Sequence, residues 1–378
     1  MKIALACHPT HGGSGVVAAE LGMRLASRGH EVHFVSYERP FRLDPLASGV
    51  HFHEVQVSSY PLFRYPPYAL ALANELLKVV DTEGVEIIHA HYAIPHSLAA
   101  VLARNMQDDG NVKVVTTLHG TDITLVGADP SYAGITRWAI EQSDRVTVVS
   151  DWLGDATRQE LAPDCELQTI HNAVDATAYC PDRADPDLRA RFAAPGELLV
   201  VHVSNFRPVK RVSDVIRAFA RGAEQIPARL LMVGQGPDLA LSQEEARKAR
   251  IEHRISWLGP IDDTSALLAS SDLFLLPSES ESFGLAALEA MASGLPVVST
   301  HSGGIPSVVI PGEAGLLAEV GDVEDLGEHI RLLLGDAALR QQMSQTARAL
   351  AVEKFGWDQV IESYEKCYED LLSDFLAS

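Results

Sequence analysis

Glu281 and Glu289 lie on either side of the turn Ser282-Phe283-Gly284, a spacing suited to an extended ligand with hydroxyls at both ends and negative charge between them. LFLLPS, residues 273–278, reads as a buried strand, and LAALEAMA, residues 285–292, as a strong helix former. The amides of Phe283, Gly284 and Leu285 therefore head a helix, where open N–H groups and the positive dipole end attract anions. Glu289, five residues past Gly284, falls about 7.5 Å along the axis. An acidic first turn can also serve only to complement the dipole, with Glu289 as a solvated helix residue. Spacing alone leaves both readings open.

SNFRPVKR adds a basic loop: Asn205 and the cations Arg207, Lys210 and Arg211 follow LLVVHV, the first strand pattern of the second half. A diphosphate gains negative charge as a glycosidic C–O bond breaks, so cations and oriented amides at that point lower the barrier directly. Lys210 is the first choice for this role, since a lysine at a helix start gains nothing from the dipole there. Gly234-Gln235-Gly236-Pro237 ends the next strand and either walls a nucleobase pocket or simply makes a tight turn.

In the first half, His8 to Gly15 joins a strand to a helix, so Gly13, Ser14 and Gly15 meet a helix N-terminus and suit something anionic. Gly13-x-Gly15-x-x-Ala18, with Glu38 as a ribose acid, formally fits a dinucleotide fingerprint. It is set aside because His8 to Gly12 lengthens the turn, and a nicotinamide enzyme has no use for the cations and carboxylates of the second half. His89, His91, Tyr92 and His96 cluster after one strand, and His119-Gly120-Thr121-Asp122 after the next. A histidine there can donate to a sugar hydroxyl, and Thr121 and Tyr92 can hold an acceptor. A metal on His89 and His91 is disfavoured for want of a third ligand at suitable spacing.

These residues need positioning elements, and the chain supplies two α/β series. KIALAC, EVHFVSY, IIHAHY, KVVTTLHG and RVTVVS alternate with amphipathic segments near 14–28 and 69–82; LLVVHVSN, RLLMVGQG, ISWLG, LFLLPS and PVVST follow a Pro- and Asp-rich stretch. We expect two doubly wound parallel-sheet domains, residues 1–172 and 173–356, facing a cleft at the carboxyl ends of their strands. Trp357, Val360, Ile361, Tyr364, Leu371 and Leu372 recur near helical spacing, so a C-terminal helix 357–378 is expected to return to the first domain.

Thirty basic against 51 acidic residues leave a net charge of −21, which argues against nucleic-acid or anionic-membrane binding and requires local cations for any anionic ligand. No run reaches the ~18 apolar residues of a membrane span, and MKIALAC meets His8-Pro9 too early for a signal peptide, so a cytoplasmic enzyme is expected. Cys7, Cys165, Cys180 and Cys367 are scattered and read as inert thiols rather than a zinc or disulfide framework.

Taken together, HPTHGGSGVVAAELG, YPPY, HYAIPHS, TTLHGTDITLVG, SNFRPVKRV and ESFGLAALEAMASGLPVV resemble the retaining GT-B glycosyltransferases of family 4, over essentially the whole chain. The resemblance is strongest to members acting at the head of bacillithiol synthesis. It implies transfer of N-acetylglucosamine from UDP-N-acetylglucosamine to L-malate, with the α configuration retained, no metal or other cofactor, and a homodimer. Glu281 and His119 would contact the donor sugar, Glu289 the ribose, Lys210 and Asn205 the diphosphate. Many relatives carry Arg where Asn205 stands, so Lys210 or Arg207 must supply more of the charge. Gly13 and Gly234 would line the donor side. Ser14, Gly15, Tyr92 and Thr121 would take the acceptor, with Arg64 and Arg137 as candidate cations. Alternatives are another acceptor, such as an inositol phosphate or a sugar, and a non-catalytic UDP-sugar-binding protein.

Overall fold

The computed structural model describes residues 1–10, 13–44, 46–58, 62, 64–108 and 110–377, the last four by backbone alone. His11 and Gly12, expected in the first turn, lie outside the described residues. The chain divides into two compact units, Met1–Asn172 with Trp357–Ser378, and Ala173–Gly356.

Among the described residues the first unit is built on seven strands: β1 Lys2–Ala6, β2 Glu31–Ser36, β3 Val50–Glu54, β4 Ile87–His91, β5 Lys113–Leu118, β6 Arg145–Val148 and β7 Leu167–Thr169. They pair in parallel in the order β3-β2-β1-β4-β5-β6-β7. Ile3, Leu5, Ile87, Ile88, Val114 and Val115 are wholly buried, because helices cover both sheet faces and such strands read as continuous apolar runs. β3 and β7 are edge strands that the hydrophobic pattern does not reveal. VHFHE is mostly polar and partly exposed, and β7 has only three residues.

The helix Trp357–Ala377 belongs to this unit. Trp357, Val360, Ile361, Tyr364, Cys367, Tyr368 and Leu371 are buried at alternating three- and four-residue steps, one stripe of a 3.6-residue period; Leu372 is only partly buried. The Tyr368 hydroxyl and His89 Nδ1 are 2.7 Å apart, tying the helix to β4.

The second unit holds β8 Leu198–Val203, β9 Ala228–Val233, β10 Ile255–Gly259, β11 Leu273–Leu276, β12 Val297–Thr300 and β13 Gly315–Ala318. These are parallel in the order β10-β9-β8-β11-β12-β13. β13, another edge strand, is also absent from the expected set. In each unit the winding reverses beside the first strand, at β1/β4 and at β8/β11, the switch points where open α/β sheets leave a crevice for ligands. The turns carrying the predicted chemistry leave these strands and their neighbours β5, before His119, and β9, before Gly234.

Candidate active site

In the second unit, β8 and β11 are neighbours, so the turns after them meet although far apart in sequence. Phe206 is fully buried in the first turn and has φ +43°, with Asn205 and Arg207 exposed on either side of it. His202 braces the strand end. Its Nδ1 lies 2.8 Å from Leu275 O and its Nε2 2.7 Å from Ser204 Oγ. The carbonyl can only accept, so Nδ1 carries the proton and Nε2 accepts from the serine. Burial pushes the His202 pKa down to about 4, keeping the ring neutral.

Lys210 Nζ is 2.6 Å from Glu281 Oε1, which also accepts from Ser278 Oγ at 2.7 Å. The predicted cation and carboxylate thus form one pair, each less than a quarter exposed. Arg211 does not join them. It has φ +49°, and its Nε donates to Asp214 Oδ2 at 2.6 Å, an ion pair within its own turn. Of the basic loop, Arg211 is thus the cation turned to a carboxylate of its own helix start.

Phe283 is buried edge-on to Phe355, ring centroids 5.6 Å apart, so its contribution to a ligand is its backbone. Gly284 caps the helix Leu285–Ala292 with φ +102°, and Leu285 opens it; Glu289, partly exposed, follows in the second turn. Gly234 has φ +120°, and a Cβ there would sit 1.8 Å from Ser204 O. Its hydrogen is therefore required for the β8 and β9 turns to pass one another.

Sequence reasoning missed Gly303 and Gly304. A Cβ at Gly303 would lie 2.1 Å from Glu281 O, and one at Gly304 2.4 Å from Ser282 O; Gly304 N donates to Glu281 O at 2.7 Å. The signal was Ser302-Gly303-Gly304 after a strand, a pattern of close backbone approach.

In the first unit the turns after β4 and β5 come together. Tyr92 OH and Thr121 Oγ1 are 2.5 Å apart, and His91 Nδ1 and His119 Nε2 are 2.9 Å apart. With Nε2 so engaged, Nδ1 is the His119 atom left to a ligand. Tyr92 stacks on His119 at 5.6 Å, and His8 packs edge-on against Tyr92 and His96. Burial holds His119 and His89 at pKa values of about 3 and lowers His91 and His96 as well, so these rings are neutral, with His89, His91 and His119 hydrogen-bonded through them. Both His89 nitrogens are occupied, by Tyr368 and by Thr117, which leaves no lone pair there for a metal.

Asp122, fully buried, accepts from the amides of His119 and Gly120. It shapes the turn carrying His119 and Thr121. Ser14 opens the helix Ser14–Ser27, Gly13 precedes it at φ +60°, and Gly15 is buried in its first turn. Of the acceptor cations considered, Arg137 is committed to Glu141 Oε1 at 2.7 Å on its own helix, and Arg64 lies over the Tyr65 ring. Pro9, Thr10, Glu38, Arg39 and Phe41 line a cavity of about 380 Å³, which brings Arg39, a cation not anticipated, near the end of β2.

Comparisons with known proteins agree with this architecture. The family model "Glycosyltransferase Family 4" matches residues 11–178 and "Glycosyl transferases group 1" matches 185–350. The chain is 44% identical over 375 residues to N-acetyl-alpha-D-glucosaminyl L-malate synthase of Bacillus anthracis, covering 99% of this chain and 98% of that one. It is 28% identical to D-inositol 3-phosphate glycosyltransferase of Mycobacterium marinum, covering 97% and 83%. Among solved structures, sucrose-phosphate synthase from Thermosynechococcus elongatus superposes with a TM-score of 0.82 at 21% identity over all of both chains. HepE of Anabaena, solved with UDP and glucose, gives 0.80 at 20% identity over 98% of this chain and 99% of that one. With two such models spanning most of its length and a 44% identical relative spanning nearly all of it, the chain belongs to the GT-B glycosyltransferases of family 4.

Proposed function

We propose that the chain transfers N-acetylglucosamine from UDP-N-acetylglucosamine to the hydroxyl of L-malate, retaining the α configuration and releasing UDP, as the first step of bacillithiol synthesis. The observation carrying this reading is 44% identity over nearly the full length of both chains to a synthase named for that product. In this reading Lys210, with Asn205 and Arg207 beside it, receives the diphosphate. Glu281 orients the sugar, the backbone of Phe283, Gly284 and Leu285 binds phosphate or sugar oxygens, and Glu289 takes the ribose. Gly234 and Gly13 allow close approach of the donor. Ser14, Gly15, Tyr92 and Thr121 hold malate, and His119 donates to a sugar hydroxyl.

The mechanism is front-face attack. As the anomeric C–O bond breaks, the departing phosphate oxygen takes the malate hydroxyl proton, and the malate oxygen bonds to the anomeric carbon on the same face. Lys210 and the helix amides stabilise the growing charge. No metal enters this scheme, and the enzyme works as a cytoplasmic homodimer. A second reading, supported by the inositol-phosphate relative, keeps the donor and exchanges the acceptor.

Release of UDP from UDP-N-acetylglucosamine, measured with L-malate, with inositol phosphate and with no acceptor, separates the readings. Malate-dependent release with an α-linked product is expected. Release only with inositol phosphate establishes the second reading, and tight UDP-sugar binding without release under any condition overturns catalysis.

A further inference from the structure

One cluster of the first unit is unused by this chemistry. β2 and β3 run in parallel with His33 opposite His51 and Val35 opposite His53. Side chains alternate across a strand, so Glu31, His33, His51 and His53 share one face of the sheet. Glu31 opens β2; the cluster therefore lies toward the amino ends of the strands, while His91, Tyr92 and His119 lie at the carboxyl ends of β4 and β5. β3 is an edge strand.

His33 Nε2 is 3.4 Å and His51 Nε2 3.7 Å from the same atom, Glu31 Oε1, and one ligand atom from each of the three residues lies within 4.8 Å of the others. His33 is 1% exposed, and among the described residues its Nε2 has no hydrogen-bond partner. Buried ring nitrogens are ordinarily paired, so this one faces the carboxylate at close range without the alignment of a bond. The remaining atoms are already oriented. His33 Nδ1 lies 3.0 Å from His53 Nε2, and Lys2 Nζ lies 3.1 Å from Glu31 Oε2 while donating to Glu83 O at 2.9 Å.

We propose that Glu31 Oε1, His33 Nε2 and His51 Nε2 are three ligands of a divalent first-row metal ion, zinc being the best match, with water completing the tetrahedron on the open side. Two imidazoles and a carboxylate are a zinc donor set, and bonds of about 2.0–2.2 Å put tetrahedral ligand atoms about 3.3–3.6 Å apart. The Glu31 and His51 side chains are 35% and 50% exposed, so modest rotation closes the wider spacing onto the fixed His33. His33 Nδ1–H then donates to His53, and Lys2 holds the second carboxylate oxygen, the outer contacts that orient metal ligands. Such an ion pins edge strand β3 to β2, away from the transfer chemistry, and serves as a clip rather than a catalyst.

The test uses the full chain stripped of metal, equilibrium dialysis against Zn²⁺ with metal analysis, and Co²⁺ as a spectroscopic probe. Wild type is expected to bind one Zn²⁺ per chain more than His51→Gln or Glu31→Gln, and its Co²⁺ form to show the intense visible bands of tetrahedral coordination. His53→Gln should keep the stoichiometry and weaken affinity about 10- to 100-fold. His51 is exposed, so its variant retains the fold and decides the matter should Glu31→Gln disturb Lys2. Equal Zn²⁺ binding by wild type and His51→Gln, or a Co²⁺ spectrum unchanged by that substitution, overturns the site.

Discussion

Lys210 and Glu281 form an ion pair of 2.6 Å that bridges the turns after β8 and β11. In the proposed reaction an incoming diphosphate competes for the lysine while a sugar hydroxyl competes for the carboxylate. The pair therefore holds both groups in place before substrate arrives.

Lys210→Ala is predicted to lower kcat about 10²- to 10³-fold, the usual loss for a group aimed at developing charge. Glu281→Gln should also depress the rate. Because the two groups touch, the double variant should cost less than the product of the single effects, with a coupling of about 0.5–3 kcal/mol. Multiplicative losses in steady-state UDP release would show that they act independently.

Gly234→Ala is predicted to destabilise the protein by about 3 kcal/mol, since φ +120° is strained for any side chain and the added methyl meets Ser204 O. Gly13→Ala, at φ +60° with no atom of the described residues within 4 Å of the added Cβ, should cost only about 1–2 kcal/mol. Urea unfolding of both variants checks the ordering, and equal losses would mean that the close approach of the two turns is unimportant.

Tyr92→Phe and Thr121→Ala each remove one end of the 2.5 Å contact between their hydroxyls. Each is predicted to raise the KM for L-malate about tenfold, the value of one hydrogen bond, with the KM for UDP-N-acetylglucosamine nearly unchanged. An unaltered malate KM in both would remove these residues from the acceptor site.

Asp122 supplies a pH signature. Burial raises its pKa from 3.8 to about 6 against the pull of its amide hydrogen bonds. Between those values the folded chain holds a proton that the unfolded chain has released, so this group's contribution to stability falls as pH rises through about 4 to 6. The full window amounts to about 3 kcal/mol. Asp122→Asn keeps an acceptor for the amides and removes the titration, so the stability of wild type relative to the variant should decline over that range. A pH-independent difference in denaturant unfolding would refute the assignment.

The α/β class was legible in the sequence because strands covered on both faces are largely apolar, as Ile3–Ala6 of β1 and the whole of β11 are. β3, β7 and β13 were not, since edge strands are short or polar and take their identity from a neighbour's hydrogen bonds. The turn chemistry was legible by residue type: glycines before helices, carboxylates flanking a helix start, a basic loop after a strand. Pairing was not. Lys210 and Glu281 are 71 residues apart and meet because β8 and β11 are adjacent. Arg211, one residue on, has positive φ and pairs with Asp214 instead.

The same distinction governs the histidines. Composition placed fifteen in the chain, and strand-end position singled out His89, His91 and His119. Only the tertiary structure occupied both His89 nitrogens and left Nδ1 of His119 for a ligand. It also set His33 against His51, because parallel register, which no local sequence pattern encodes, decides which residues of two strands stand side by side. Residue type determined what chemistry each segment of this chain can perform; strand order and register decided which of those segments perform it together.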